Sequence, residues 1–191
     1  ISKAIDGSTY GMLVNAFYGL RVDDEEISLN VADVNKVVAV YESLDDGTPT
    51  LDVLGFVSGL DLDTNTVKGE VLRGEVSGAI AQLVSAPTPE TVRIVYLSQA
   101  TFQVGERVTF LESAIKTNLQ IIQSGNYNNI TDKFTLDKGQ REEFYDYARL
   151  VRNRNAAAPN KKLLVVYDQF AVPANDKGDF YTANSYEADV F

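Results

Sequence analysis

At 191 residues and 21.0 kDa the chain is long enough to bury a core of its own, and its 45% hydrophobic and 23% charged residues place it among globular sequences. Acids outnumber bases 27 to 17 for a net charge of -10, which argues against direct nucleic-acid binding, since phosphate contacts need a basic footprint. With no cysteine there are no disulfides, no thiolate chemistry and few routes to structural zinc, and with no histidine the commonest general base and transition-metal ligand is gone.

An enzyme built from this chain would have to run on Asp, Glu, Lys, Tyr, Ser or Thr, as glycosidases or magnesium-dependent enzymes can. No apolar run approaches the length needed to span a bilayer, so a soluble chain without a membrane partner is expected. The chain begins at Ile1 and stops at Phe191, which reads as a piece of a longer polypeptide, although a processed mature chain would look the same.

Along the chain, residues Gly11 to Val22 are small, apolar and aromatic, with Gly11 and Gly19 favouring extended or looped backbone. The acidic run Asp23-Asp24-Glu25-Glu26 reads as an exposed turn. Val34 to Tyr41 is rich in β-branched residues and stands between Asp33 and the turn-forming Asp45-Asp46-Gly47, which predicts a strand.

From Leu51 to Ser124 short apolar runs alternate with turn chemistry. Leu51–Val57, Val67–Leu72, Ala79–Val84, Val92–Leu97, Arg107–Phe110 and Lys116–Gln123 each read as strands, and their even spacing suggests a small antiparallel barrel or sandwich. An internal echo lies within this region. Gly69-Glu70 followed by Ser77-Gly78-Ala79 returns as Gly105-Glu106 followed by Ser113-Ala114-Ile115, with Leu72 answered by Val108, and reads as two similar hairpins.

Polar Gly125 to Asn129 reads as a loop or boundary. Beyond it Asp137 stands where it can cap a helix, with Gln140 three residues on, and Phe144, Tyr147, Ala148 and Val151 share one helical face; an amphipathic helix over Lys138–Asn153 is predicted. Pro159 ends that segment, and Lys162 to Phe170 reads as a strand apolar enough for a sheet interior. The expected fold class is α+β, mainly antiparallel β with one helix in the C-terminal half. The expected organisation is an N-terminal extended or β segment over 1–55, a β-rich module over 56–125 and an α+β module over 126–191.

Candidate chemistry is sparse. Asp61, Asp63 and Asn65 alternate like a calcium loop, but Thr66 stands where a glycine is needed and Leu72 where a glutamate is, so a polar turn is the better reading. Glu142 and Glu143 are neighbours that a helix points about 100° apart, not a facing acid and base. Gly178 between Asp176, Lys177 and Asp179 is a turn rather than a phosphate loop, and Ser8, Thr9 and Ser185 have no histidine to form a triad. No catalytic residue, metal ligand or cofactor is expected. The aromatics Tyr145, Tyr147, Tyr167, Phe170, Phe180, Tyr181 and Tyr186 suit three roles: a packed core, an interface with another subunit, or a surface that stacks on sugar rings. For the interface role we single out Tyr145, Tyr147, Tyr167, Phe180, Tyr181 and Tyr186.

Several phrases resemble a known family. Phe134 to Arg141 (FTLDKGQR), Phe144-Tyr145-Asp146, Lys162 to Asp168 (KLLVVYD), Gly178 to Thr182 (GDFYT) and Asn184-Ser185-Tyr186 are similar to a segment of large virion proteins of contractile-tailed bacteriophages, especially marine ones. Tyr18 to Val22, Ile27 to Asn30 and Asp33 to Ser43 resemble other segments of the same proteins. That family is known mostly as structural protein of unknown detailed role, and no functional residue carries over from it. The resemblance implies a non-enzymatic virion component of the tail, baseplate or fibre apparatus. Its partners would be other virion proteins and copies of itself. The alternatives are a receptor- or glycan-binding module on the virion surface, with a host surface glycan as ligand, and a polysaccharide depolymerase whose two acids converge from different strands.

Overall fold

The computed structural model describes residues 18–19, 21–140 and 146–170. Thirteen strands dominate it: β1 (Tyr18–Gly19), β2 (Glu26–Ser28), β3 (Val34–Ser43), β4 (Asp52–Phe56), β5 (Val71–Gly74), β6 (Ile80–Thr88), β7 (Thr91–Tyr96), β8 (Arg107–Phe110), β9 (Lys116–Gln123), β10 (Tyr127–Asn129), β11 (Phe134–Asp137), β12 (Arg149–Arg152) and β13 (Leu163–Gln169). One short helix, α1 (Leu62–Asn65), and a 3-10 turn at Thr131–Lys133 complete the described elements. The pairing is antiparallel except between β1 and β2.

Strands β4 to β9 close into a six-stranded barrel in the order β4-β7-β6-β5-β8-β9, so that β9 returns to β4 and no edge is left. Alternation along each strand sends Leu54, Leu72, Leu83, Ile94, Phe110 and Leu119 inward, each at most 1% exposed. Phe56 meets Phe110 edge to face with centroids 5.5 Å apart. The segment Asp61–Asn65, expected as a polar turn, makes one helical turn that drives Leu62 into this core at 0% exposure. Burying each such side chain is worth about 1.5–3 kcal/mol.

The segments before and after the barrel are knitted to each other. β3 lies between β10 and β13, and β12 lies between β2 and β11, forming a three-stranded and a four-stranded sheet from both flanks of the chain. Ile27, Val40, Ile130, Phe134 and Leu150 form the core of this flanking region. A third cluster, with Ala39, Tyr41 and Val95 buried and Val84, Leu164 and Val166 packed on it, joins the β3–β13 sheet to the outside of β6 and β7. The boundary expected at residue 55 falls inside β4, and residues before and after the barrel share sheets.

The helix expected over Lys138–Asn153 is corrected for the described residues. Phe134–Asp137 and Arg149–Arg152 are paired strands, Phe134 opposite Arg152 and Asp137 opposite Arg149, and residues 141–145 lie outside the described part. Ala148 and Leu150, two apart, are both 0% exposed, a strand period that the helical pattern concealed. Asp137 does not cap a helix; its Oδ1 accepts the Gly139 amide at 2.9 Å, and Gly139 turns the chain at φ 73°. Long-range pairing of β12 with β2 and β11 overrode local helix propensity. Other differences are local. Val67–Glu70, expected within a strand, is a loop folded back on itself before β5, and Tyr127–Asn129, expected in a loop or boundary, is β10. In the acidic run expected as an exposed turn, Asp24 is buried under its contacts with Arg21 and Glu26 begins β2.

Candidate functional site

The internal echo is realised atom for atom. Gly69 donates to Leu83 O at 2.8 Å and Gly105 to Leu119 O at 2.7 Å, while Leu83 donates to Glu70 O and Leu119 to Glu106 O at 2.8 and 2.9 Å. The left-handed backbone at Gly69 (φ 89°) and Gly78 (φ 66°) recurs at Gly105 (φ 90°) and Ala114 (φ 59°). β5 and β8 pair antiparallel about Arg73 and Thr109, so the barrel carries an internal two-fold.

Across this two-fold the halves exchange carboxylates. Glu106, 5% exposed, accepts the amides of Val76 (3.1 Å) and Ser77 (2.9 Å), the Ser77 hydroxyl (2.8 Å) and, from its own loop, the Gln103 amide (2.6 Å). Glu70, 0% exposed, accepts the amides of Glu112 (3.3 Å) and Ser113 (3.1 Å), the Ser113 hydroxyl (3.0 Å) and the Val67 amide (2.9 Å). Each glutamate therefore pins the hairpin turn of the opposite half. Burial works against the charged form of Glu106, yet the bonds from Ser77, Gln103 and Val76 hold its carboxyl below the usual glutamate range.

A third buried carboxylate sits where the chain enters and leaves the barrel. Asp52 Oδ1 accepts the Gly125 amide at 2.9 Å, and its Oδ2 accepts the Tyr127 hydroxyl. Tyr127 stacks on Tyr41 with centroids 3.8 Å apart and planes 17° from parallel. Burial, helped by the bond to Asp52, pushes the Tyr127 hydroxyl well above the usual tyrosine value, and burial raises Tyr41 as well. Asn126 seals the junction, donating its amide to Thr50 Oγ1 at 3.0 Å and its Nδ2 to Asp45 Oδ2 at 2.7 Å.

Chemically these carboxylates are occupied. A general acid or base needs a proton-exchanging oxygen facing a cleft, and the oxygens of Glu70, Glu106 and Asp52 point at amides and hydroxyls of the fold. No group of three or more Asp, Glu, His or Cys able to hold a metal occurs among the described residues. The described residues line two open grooves. One, of about 340 Å³, runs between β3 and β11 past Lys36, Val37, Phe134 and Leu136. The other, of about 520 Å³, crosses the outside of β5 and β8 past Arg73, Val76, Thr109 and Leu111.

Of the aromatics expected at an interface, Tyr147 is 51% exposed beside β12 and Tyr167 is half-buried on β13 opposite Val37. The structure does not bring these two into ring contact with each other; the ring pairs among the described residues are Tyr41–Tyr127, Phe56–Phe110 and Tyr96–Phe102. Tyr145, Phe180, Tyr181 and Tyr186 lie outside the described residues. Phe170 is 69% exposed at the end of β13. Sequence reasoning missed the two glutamates and the Tyr41–Tyr127–Asp52 group. For the glutamates a signal was present, since the echo repeats Gly-Glu with a serine seven residues on in both copies. No protein-family profile, curated protein or solved structure matches this chain.

Proposed function

We propose that this chain is a non-enzymatic structural component of a bacteriophage virion, from the tail, baseplate or fibre apparatus, that works through protein–protein contacts. The reading starts from the resemblance of its Phe134–Arg141, Lys162–Asp168 and Asp33–Ser43 runs to large virion proteins. The observation that carries it on the structural side is the commitment of the buried carboxylates Glu70, Glu106 and Asp52 to the fold's own amides and hydroxyls. A depolymerase working by carboxylate chemistry needs such oxygens free in a cleft. A β-rich module with its strands tied into a barrel and two sheets suits a part that must hold its shape while neighbours bear on it.

Imaging of intact particles tests the reading. The expected result is density for this fold in the tail, baseplate or fibre, with Tyr147 and Tyr167 near neighbouring virion proteins. A free-standing module whose aromatics line an open groove would favour a receptor- or glycan-binding role, and polysaccharide cleavage by the purified chain would overturn the non-enzymatic assignment.

A further inference from the structure

The barrel has two outer faces of different character. That of β6 and β7 is covered by the β3–β13 sheet through Val84 and Val95. That of β5, β8 and β9 faces solvent, and on it Arg73 stands opposite Thr109, Thr109 opposite Lys116, and Arg107 opposite Asn118. Among the described residues Arg73, Arg107 and Lys116 form no ion pair, although the chain carries a net charge of -10 and Glu75 lines the groove there. The turns at its borders present Val76 at 72% exposure and Leu111 at 54%, with the 520 Å³ groove between them. These turns are the ones pinned by Glu106 and Glu70. An apolar side chain held outward on a pinned turn loses little freedom on binding, which is how a preorganised contact gains affinity. Exposed apolar residues beside unpaired cations mark a surface built for a protein that brings carboxylates.

We propose that the outer face of β5, β8 and β9 docks a second copy of this chain, which meets it with its Asp23–Glu26 turn. Charge complementarity selects that occupant. The turn is the densest acidic run in the sequence; Arg21 engages Asp24 (2.6 Å) and lies 3.9 Å from Asp23, and Arg149 engages Glu26 (3.0 Å), while the side chains of Asp23 and Glu25 stay exposed. The two surfaces differ, so the contact is head-to-tail and builds a ring or an open filament. The proposal deepens the assembly reading and rests on it.

Sedimentation velocity of the whole chain tests it at about 0.15 M salt, where repulsion beyond about 8 Å is screened and contact pairs survive. Wild type should self-associate with concentration. The variants R73E/R107E/K116E and D23K/E25K should each associate about tenfold or more weakly, the scale of losing close charge pairs. A one-to-one mixture should recover association, because the acidic turn of the first variant meets the basic face of the second and the reversed face of the first meets the reversed turn of the second with opposite signs restored. V76S/L111S should weaken association without a change of charge, and circular dichroism checks that each variant is folded. A wild type that stays monomeric at all concentrations, reversals without effect, or a mixture that recovers nothing would each overturn the proposal, including the case where another acidic protein is the true partner. Absence of the chain from particles would instead sink the virion reading and leave the solution result standing.

Discussion

The barrel and the flanking sheets are built by opposite rules. In the barrel β5–β6, β6–β7 and β8–β9 are neighbours in sequence and in space, and the two halves repeat one another. In the flanks β1–β2 and β11–β12 are also consecutive, but the pairings that tie the region together, β2–β12, β3–β10 and β3–β13, are distant: Arg149 and Glu26, which form an ion pair at 3.0 Å, are 123 residues apart. Local pairing lets a segment declare itself through its own alternation and turns, whereas a strand such as β12 exists because two others receive it. The barrel also closes on itself, while the flanks need the whole chain.

The largest effects should come from breaking the two cores separately. Phe110→Ala empties the barrel centre and should cost about 3–5 kcal/mol, and Leu150→Ala should cost about 2–5 kcal/mol in the flanks. Urea denaturation gives the totals. Hydrogen exchange then sharpens the comparison: Phe110→Ala should speed exchange mainly in β4 to β9, and Leu150→Ala mainly in β2, β3, β11 and β12. Equal acceleration everywhere would show one cooperative unit.

Next in size are the carboxylates. Glu106→Gln and Glu70→Gln each place an amide where oxygens accepted several donors, and each should lower stability by about 1–3 kcal/mol at pH 7 in urea melts. Because the Glu106 carboxyl is held below its usual value, its contribution is present above the unfolded glutamate value near 4.3 and is lost as pH falls through the lower folded value. The gap between wild type and Glu106→Gln should therefore narrow toward pH 3. A gap that stays constant would show that the loss is one of packing.

Tyr127→Phe probes the junction and should cost about 1–3 kcal/mol by leaving Asp52 short of a donor. Here the sign reverses. A hydroxyl with a raised value contributes stability that is full below the unfolded tyrosine value near 10 and is lost as pH climbs toward the folded one. Alkaline melts should show wild type falling toward Tyr127→Phe above about pH 10.

The smallest effect compares the barrel halves. Ala114 occupies the left-handed position that Gly78 fills in the other copy, so Ala114→Gly should raise stability by about 1 kcal/mol, visible as a higher urea midpoint. A loss instead would mean that the Ala114 methyl makes contacts that outweigh the strain.

These contrasts explain what could be read in advance. Arg107–Phe110 and Lys116–Gln123 stand in the sequence as apolar alternation bounded by turns, and the structure keeps both limits. The barrel alternative was legible for the same reason, and so was the repeat behind the glutamate exchange, although a run of letters could not show that Glu70 reaches Ser113 rather than its own hairpin. β12 was not legible, because Phe144, Tyr147, Ala148 and Val151 satisfy a helical period as well, and the deciding partners, Glu26–Ser28, lie in the other flank. Nor was the Tyr41–Tyr127 stack, which joins residues on either side of the entire barrel.

That stack lies within a ladder in which β3 and β10 pair Tyr127 with Ser43 and Asn129 with Tyr41. Seen from the flanking sheets, β3 and β10 are the two arms of a hairpin, and the whole barrel occupies the place of its turn. Closing a floppy connection of that length would cost the hairpin chain entropy that grows with the logarithm of length. A barrel folded on its own local pairings, with its two ends fastened together at Asp52 and Gly125, presents instead a short rigid bridge. The flanks register the spacing of those ends and the outer face of β6 and β7, so an insert exchanged at this point would have to reproduce both.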